Sequence, residues 1–213
     1  MNLELQKRII TSIFLLLLLF LMFTYAYVLI IASIIIGLIS WVEFYALISK
    51  IIKKDDFKSK SLRFLYKSSS LLYLSLLVFF IISAKLINTS LYIPLIYSLF
   101  IAIMSDVGGL VVGKTIKGKK LSKISPNKTI SGSLGAFIFS LILMPFFLKY
   151  FDNYNFSSII LFTIIICLAS QLGDLVISLL KRKANVKDTS NLLPGHGGVL
   201  DRIDGIILAI PTG

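Results

Sequence analysis

Long apolar segments constrain this chain more than any other feature. They cover residues 9–48, 69–84, 91–112, 130–148 and 157–180. Several are long enough to cross the roughly 30 Å hydrocarbon core of a bilayer, which takes about 20 helical residues. Of the 213 residues 57% are apolar, and the mean hydropathy of +0.93 is far above that of a soluble domain. The sequence therefore predicts an all-α, polytopic integral membrane protein.

Basic residues set the expected orientation of these segments. Apart from Lys85 and Lys149, every Lys and Arg falls in one of four regions: 7–8, 50–67, 114–128 and 181–202. Positive loops favour the cytoplasmic side of a membrane. We therefore expect about six transmembrane helices with basic cytoplasmic loops and both termini inside. The segment 9–48 then crosses twice, with a tight turn near Phe23–Tyr27.

The net charge of +12 has an ordinary explanation in a membrane protein. Basic cytoplasmic loops follow from the topology and also attract anionic lipid headgroups. We expect no nucleic-acid partner, because neither stacking aromatics nor a groove-binding module accompanies the charge. The single cysteine, Cys167, lies in an apolar segment and is interpreted as a packing residue.

The stretch GGLVVGKT, residues 108–115, matches the phosphate-binding loop pattern G-x-x-x-x-G-K-[ST]. That loop needs a preceding β-strand and a following helix whose N-terminus meets the phosphates. Here the pattern continues an apolar helix and is followed by a basic loop. We therefore interpret the match as coincidental, and expect Gly108, Gly109 and Gly113 to permit close helix packing.

Two aspartates lie inside predicted membrane helices. A carboxylate in such a helix is energetically costly and is therefore a candidate functional residue by default. Asp106 and Asp174 are the two candidates here. Gln171, Asp174, Ser178 and Arg182 follow one another at helical spacing, so they form a polar stripe on one helix face. Such a stripe is expected to face a wet cavity or other protein.

The segment PGHGGVLDRID, residues 194–204, places glycines beside two acids. Gly195, Gly197 and Gly198 can take positive φ and present backbone N–H groups to phosphate oxygens. Asp201 and Asp204 are three apart on a predicted helical turn, and an oxygen-rich site of this kind suits Mg²⁺ better than zinc. These features favour metal-assisted phosphoryl or nucleotidyl transfer to a lipid.

His196 lies within the same glycine-rich loop. It is a candidate general acid or base, and equally a loop residue that hydrogen-bonds the backbone. Because an attacking phosphate is already an anion, nucleotidyl transfer to it needs no base. We therefore favour substrate binding or loop ordering for His196.

The order of these elements resembles the CDP-diacylglycerol synthase, or phosphatidate cytidylyltransferase, family. Its pattern S-x-x-K-R, K-D, P-G-H-G-G, D-R-x-D reads here Ser178, Lys181-Arg182, Lys187-Asp188, Pro194–Gly198, Asp201-Arg202 and Asp204. Upstream, the segment from Ser105 to Ala136 is similar to the family's Asp-bearing helix and S-P-x-K-T loop, which maps Asp106, Ser125, Lys128 and Thr129 onto family positions. QKRIITSI resembles the usual start of the first membrane helix.

The resemblance implies transfer of the cytidylyl group of CTP to phosphatidate, with pyrophosphate released, by a single membrane-embedded domain over residues 1–213. It implies a bacterial inner (cytoplasmic) membrane and cytoplasmic catalytic loops. It implies membrane lipids as surroundings, a homodimer, and an essential Mg²⁺, with a second ion possible, on Asp174 and Asp201; Asp204 and Asp106 are further candidate ligands. The implied catalytic residues are Asp174, Asp201, Lys181, Arg182 and Arg202. The implied substrate-binding residues are Ser125, Lys128, Thr129, Ser178, Lys187, Asp188, Gly195, His196, Gly197 and Gly198.

The sequence departs from the family pattern in two places. Family members continue beyond D-R-x-D with another membrane helix, so a chain ending at Gly213 is either a piece or a shorter form. The Asp106 segment reads DVGGL, where the family usually has Thr after the Asp and an Ala-Tyr or Ala-Phe pair. Two other functions stay open: a CTP-dependent polyprenol or lipid kinase, and an ion-coupled transporter that uses Asp106 and Asp174.

Overall fold

A computed structural model of the chain describes residues 3–122, 125, 128–152 and 154–213, with residues 3, 4 and 89 described by backbone alone. The described part is helical and contains no named strand. Its seven α-helices are α1 Leu3–Thr24, α2 Ala26–Ile51, α3 Phe57–Leu86, α4 Tyr92–Thr115, α5 Ile130–Leu143, α6 Phe156–Lys183 and α7 Leu200–Thr212. Two 3₁₀ helices, Thr89–Leu91 and Met144–Tyr150, precede α4 and follow α5.

Six of these segments are long and apolar enough to cross a membrane. They are Leu5–Thr24, Ala26–Ile51, Phe57–Leu86, Tyr92–Thr115, Ile130–Tyr150 and Phe156–Lys183. The prediction of an all-α polytopic membrane protein with about six spans is thus confirmed. A break between helices lies within the predicted turn at 23–27, because Tyr25, in an extended conformation, separates α1 from α2.

The chain forms two compact units. One comprises Met1–Asn88 with Leu180–Ile203, and the other comprises Thr89–Leu179 with Asp204–Gly213. In the first unit α2 packs closely on α3, because a Cβ at Gly37 would lie 2.9 Å from Val78. The expectation of a single catalytic domain stays a prediction.

The glycines of the apparent phosphate loop lie in α4, within the second unit. A Cβ at Gly108 would come within 2.7 Å of Phe139 on α5, and one at Gly113 within 3.0 Å of Thr129. The predicted role in close packing is confirmed for Gly108 and Gly113, whereas a Cβ at Gly109 would meet only an ordinary contact at 3.6 Å. Because α4 runs unbroken to Thr115, the strand–loop–helix geometry of a nucleotide hydrolase is excluded.

The core of the second unit surrounds Tyr97, which is fully buried. Its hydroxyl shares a 2.5 Å hydrogen bond with Thr163, so the buried polar group is satisfied. Cys167 belongs to the same cluster and is a buried free thiol, which confirms its interpretation as a packing residue.

Candidate functional site

Asp201 lies in the first turn of α7 and its side chain is only 3% exposed. The Lys181 ammonium at the end of α6 donates to its Oδ1 at 2.6 Å. Its Oδ2 accepts from the backbone N–H groups of Thr189, at 2.8 Å, and Gly198, at 3.0 Å. Both carboxylate oxygens are therefore held by donors from three parts of the same unit.

The surroundings of Asp201 decide its ionisation. Burial alone would raise its pKa, but hydrogen bonds from Lys181, Thr189 and Gly198 favour the charged form more strongly and hold the pKa of Asp201 below its ordinary value. The carboxylate is thus an anion at neutral pH.

Glu43, in the membrane helix α2, is a site residue that the sequence analysis missed. Its side chain is buried and accepts hydrogen bonds from the Ser190 hydroxyl at 2.6 Å and from the N–H groups of Val199 and Leu200 at 3.0 and 2.8 Å. The Thr189 hydroxyl lies 2.8 Å from Glu43 and 2.9 Å from Asp201, so its one proton is within reach of both. Glu43 therefore fixes the loop that precedes α7.

The rule that marked Asp106 and Asp174 as candidate functional residues in membrane helices applies equally to Glu43. A carboxylate in an apolar membrane helix needs partners. Here those partners include the N–H groups of Val199 and Leu200 at the start of α7. N–H groups at the start of a helix have no carbonyl of a preceding turn to bind, so they need another acceptor. The negative charge also interacts favourably with the N-terminal end of that helix.

The glycine-rich loop folds as a tight turn. Gly195 and Gly197 have φ of +77° and +83°, as predicted, and the His196 N–H donates to the Leu193 carbonyl at 2.9 Å. Gly198 has no positive φ, and that part of the prediction is wrong. Glycine is needed there because a Cβ would come within 2.6 Å of the Glu43 carboxylate, and because its N–H binds Asp201 it is not turned outward.

A cavity of about 850 Å³ opens beside this turn, entirely within the first unit. Its lining includes six predicted site residues: Lys187, Asp188, Gly195, His196, Gly197 and Arg202. The other lining residues are Lys7, Arg8, Asn191, Leu193 and Pro194. The volume is in the range of small-molecule sites, and the charged lining is dominated by cations.

The start of α1 is attached to the turn by two hydrogen bonds. The Thr11 hydroxyl donates to the Pro194 carbonyl at 2.9 Å, and Ser12 Oγ shares a 3.3 Å hydrogen bond with His196 Nε2. Within the described residues, the buried His196 Nδ1 has no hydrogen-bond partner. His196 therefore contacts both the cavity and α1; its proposed part in binding or loop ordering stays a prediction.

Asp174 occupies the other compact unit, on α6, where its carboxylate forms an ion pair with Lys128. One helical turn earlier, Gln171 accepts a hydrogen bond from the Ser133 hydroxyl of α5 at 2.5 Å. This part of the predicted polar stripe therefore faces other protein groups. Lys128, expected to bind substrate, is at the same time the partner of Asp174.

Thr129 has a structural role that its sequence position explains. It is the N-cap of α5, and its hydroxyl accepts from the Gly132 N–H at 3.0 Å. Two residues of the preceding S-P-x-K-T segment, Pro126 and Asn127, lie outside the described residues. The Ser125 carbonyl accepts a hydrogen bond from the Lys128 N–H at 3.1 Å.

The remaining predicted positions are distributed over three helices. Asp106 is exposed on α4, Ser178 is half-buried on α6, and Asp204 is buried in α7. Arg182 is exposed at the end of α6. Their proposed functional roles stay predictions.

The donor chemistry of Asp174 and Asp201 suits a magnesium ion. Among the residues described, no three or more Asp, Glu, His or Cys side chains are grouped to hold a metal. Mg²⁺ does not require such a cage, because it commonly uses one or two carboxylates together with water and substrate phosphates. In this structure each of the two carboxylates is paired with a lysine, which a metal ion would have to displace or share.

Comparison with known proteins agrees with this chemistry. A family profile described as "Cytidylyltransferase family" matches residues 2–212. The chain belongs to the cytidylyltransferase family. The match covers both compact units.

Curated relatives within this family carry the name phosphatidate cytidylyltransferase. The protein of that name from Rickettsia bellii is 44% identical over 151 residues, which are 65% of this chain and 61% of the relative. The Staphylococcus haemolyticus protein is 42% identical over 119 residues, 55% of this chain and 46% of the relative. The Rickettsia typhi protein is 45% identical over 117 residues, 50% of each chain. The chain thus spans about half to three-fifths of the length of these relatives.

Proposed function

We propose that this member of the cytidylyltransferase family transfers the cytidylyl group of CTP to phosphatidate and releases pyrophosphate, which yields CDP-diacylglycerol for phospholipid synthesis. The observation that supports it most is the cation-lined cavity beside residues 194–198, into which Lys187 and Arg202 of the family pattern both project. This chain belongs to the cytidylyltransferase family, and it is similar to curated relatives that are named phosphatidate cytidylyltransferase.

The reaction balances without a general base. A phosphate oxygen of phosphatidate bonds to the α-phosphorus of CTP, and the bond from that phosphorus to the oxygen bridging toward the β-phosphate breaks. The attacking oxygen is already an anion, so no proton has to be removed. The residues therefore have to position two phosphate-bearing molecules and offset their mutual repulsion.

Positive side chains are suited to that task. Arg202 and Lys187 line the cavity, and guanidinium and ammonium groups form the strongest hydrogen bonds with phosphate oxygens. The loop turn at Gly195 and Gly197 sets the shape of the wall. His196, held by Ser12, contributes to that wall and needs no role in proton transfer.

Magnesium is the metal that we propose for Asp174 and for Asp201, each within its own compact unit. When bound, it would supply positive charge to offset the charge that develops on the phosphates. Two lysines of the chain then each have two candidate partners, a carboxylate and a phosphate oxygen. Lys181 and Lys128 contact these carboxylates, and either lysine can also bind a phosphate oxygen.

We further propose that the protein lies in the bacterial inner membrane with its site toward the cytoplasm, where CTP is available. Six spans of sufficient length support an integral membrane protein. The basic loops 50–67, 114–128 and 181–202 then lie on the cytoplasmic side, in accordance with the charge rule.

A direct assay tests this function. The purified protein is incubated with CTP labelled in the cytidine, phosphatidate and Mg²⁺; we expect a labelled lipid together with released pyrophosphate. A lipid kinase would instead release labelled CDP and phosphorylate a polyprenol. An active chain that transports ions without consuming CTP would overturn the proposal.

Two aspartate variants test whether the measured transfer depends on the candidate site. Asp201→Ala is expected to abolish the cytidylyl transfer, whereas the matched change Asp55→Ala, at a side chain 80% exposed, is expected to leave it intact. Chelation with EDTA should stop the reaction and added Mg²⁺ should restore it. Full activity in Asp201→Ala would show that the metal assignment is wrong.

A further inference from the structure

Four cations surround the cavity beside residues 194–198: Lys7, Arg8, Lys187 and Arg202. Asp188 is the acid in its lining. Within the described part of the chain, none of the four cations forms an ion pair. Like charges around one concave surface repel one another and concentrate anions there.

Lys7 and Arg8 belong to none of the motifs from which the site was predicted. Basic residues at the start of a membrane helix have a common explanation, since they orient the helix and attract anionic headgroups. That explanation requires only that they lie near the membrane surface. It does not account for their position against one particular loop some 190 residues later in the chain.

The position of Arg8 is fixed by packing. A Cβ at Gly195 would lie 2.7 Å from Arg8 Cγ and 3.4 Å from the Arg8 backbone nitrogen, so the side-chain stem lies directly on the glycine. One turn further along α1, the Thr11 hydroxyl bonds to the Pro194 carbonyl. Ser12 bonds to His196. The start of α1 that carries Arg8 is thus held against the loop by packing at Gly195 and by two hydrogen bonds.

The charge of Arg8 is nevertheless free for a ligand. The residue is exposed although its stem is packed, as is Lys7. A guanidinium of this kind offers a planar set of donors that matches phosphate geometry. An adjacent ammonium adds a second point of contact for a group that carries more than one negative charge.

We propose that Lys7 and Arg8 bind a phosphate group of a substrate in this cavity, together with Lys187 and Arg202. This inference rests on the proposed function and deepens it, because it adds the start of α1 to the substrate site. The shared chemistry is a phosphate ester with two or more negative charges. Its two sources are the triphosphate of CTP and the phosphate of phosphatidate.

The double variant Lys7→Gln/Arg8→Gln tests this assignment. Its matched control is Lys53→Gln/Lys54→Gln, which removes the same net charge from exposed residues of the same compact unit outside the cavity. If the charges act only by general attraction to the membrane surface, the two variants behave alike. If they bind substrate, only the first is affected. Melting temperatures of both should stay near the original, since all four side chains are exposed.

Two titrations distinguish the sources of the phosphate. CTP is varied at saturating phosphatidate, and the surface fraction of phosphatidate is varied at saturating CTP. We expect the double variant to raise one of the two half-saturating values by about tenfold, with a smaller change in kcat, as loss of binding energy predicts. Arg8→Lys, which keeps the charge and loses the planar fork, should recover part of the loss.

Binding measured without turnover separates this inference from the proposed reaction. Labelled CTP and vesicles containing phosphatidate are offered to each variant in equilibrium binding. If the unaltered chain makes no CDP-diacylglycerol but the double variant alone loses binding, the phosphate site stands and the proposed reaction falls. If both variants bind and turn over like the unaltered chain, or if the unaltered chain binds neither ligand, Lys7 and Arg8 have no such role.

Discussion

The hydroxyl of Thr189 lies 2.8 Å from the carboxylate of Glu43, although the two residues are 146 positions apart. This contact joins the second membrane helix to the loop that leads into α7. The same carboxylate also accepts from Ser190, Val199 and Leu200. A membrane-helix acid therefore determines the shape of a loop whose glycines line the candidate site.

Glu43→Gln is expected to destabilise the protein and lower its activity. The amide keeps one oxygen but presents an NH₂ group to donors, so about half of the contacts become unfavourable. We expect a loss of about 3 kcal/mol in the free energy of unfolding, as for hydrogen bonds to a buried charge. Thermal unfolding in detergent measures it.

The control for Glu43 is Asp55→Asn, at an exposed carboxylate paired with Arg63. Surface pairs contribute little, so its melting temperature should be unchanged. An unchanged melting temperature in Glu43→Gln as well would show that the four contacts of Glu43 do not hold the loop.

Gly195→Ala is expected to distort the turn beside the cavity. Its φ of +77° is unfavourable for any residue with a Cβ, and that Cβ would lie 2.7 Å from Arg8. We expect a cost of about 1–3 kcal/mol and a raised half-saturating CTP or phosphatidate concentration. Unfolding and kinetic assays on one preparation measure both.

Gly109→Ala supplies the comparison for Gly195. It lies within α4, and its Cβ would meet only an ordinary contact at 3.6 Å. Replacing a helical glycine with alanine should be neutral or stabilise by about 0.5–1 kcal/mol. Equal effects at both positions would contradict the assigned strain at Gly195.

Lys181→Met is expected to leave Asp201 as a buried carboxylate without its cation. The two side chains are 13% and 3% exposed, so we expect a destabilisation of about 3–5 kcal/mol. Lys183→Met, at an exposed lysine in the same final turn of α6, should cause little change. Differential scanning calorimetry or a thermal-shift assay provides the measurement.

The same Lys181 variant also reports on the metal. If Asp201 holds Mg²⁺, added Mg²⁺ should raise the melting temperature of Lys181→Met more than that of the unaltered chain, because the lysine no longer competes for Oδ1. An equal response of both proteins would count against Asp201 as a ligand.

Lys114→Gln is expected to leave CTP-dependent activity within about twofold, the range of a neutral surface change. In a true phosphate-binding loop the corresponding lysine contacts the phosphates, and its removal would be severe. Gly108→Ala should instead destabilise by about 1–3 kcal/mol, because its Cβ would overpack Phe139. Loss of activity in Lys114→Gln, without loss of stability, would reopen the nucleotide-loop interpretation.

The membrane architecture was predictable because hydropathy and helix length act locally along the chain. The turn at Tyr25, the packing role of Gly108 and the burial of Cys167 all followed from such local rules. The helix cap at Thr129 also has a local signal, a threonine directly before an apolar helix. These features need no knowledge of which distant segments meet.

The site was predictable only in part, because its geometry depends on distant contacts. The motif residues Lys187, Gly195 and Arg202 do line one cavity. The pairing of Lys181 with Asp201 was not foreseen, since each had been considered for a separate ligand. Glu43 had a signal that was overlooked, namely a charge in an apolar helix.

The hydrogen bond from Thr11 to Pro194 spans 183 positions of the chain. At about 5–20 residues per second, the first helix leaves the ribosome roughly 10–40 s before the loop it holds. During that interval Arg8 has no Gly195 to pack against, and the Glu43 carboxylate in α2 lacks its hydrogen-bond donor Leu200. The wall of the cavity is therefore completed only after that loop has been synthesised, and a nascent chain interrupted before it retains its inserted helices without the assembled pocket.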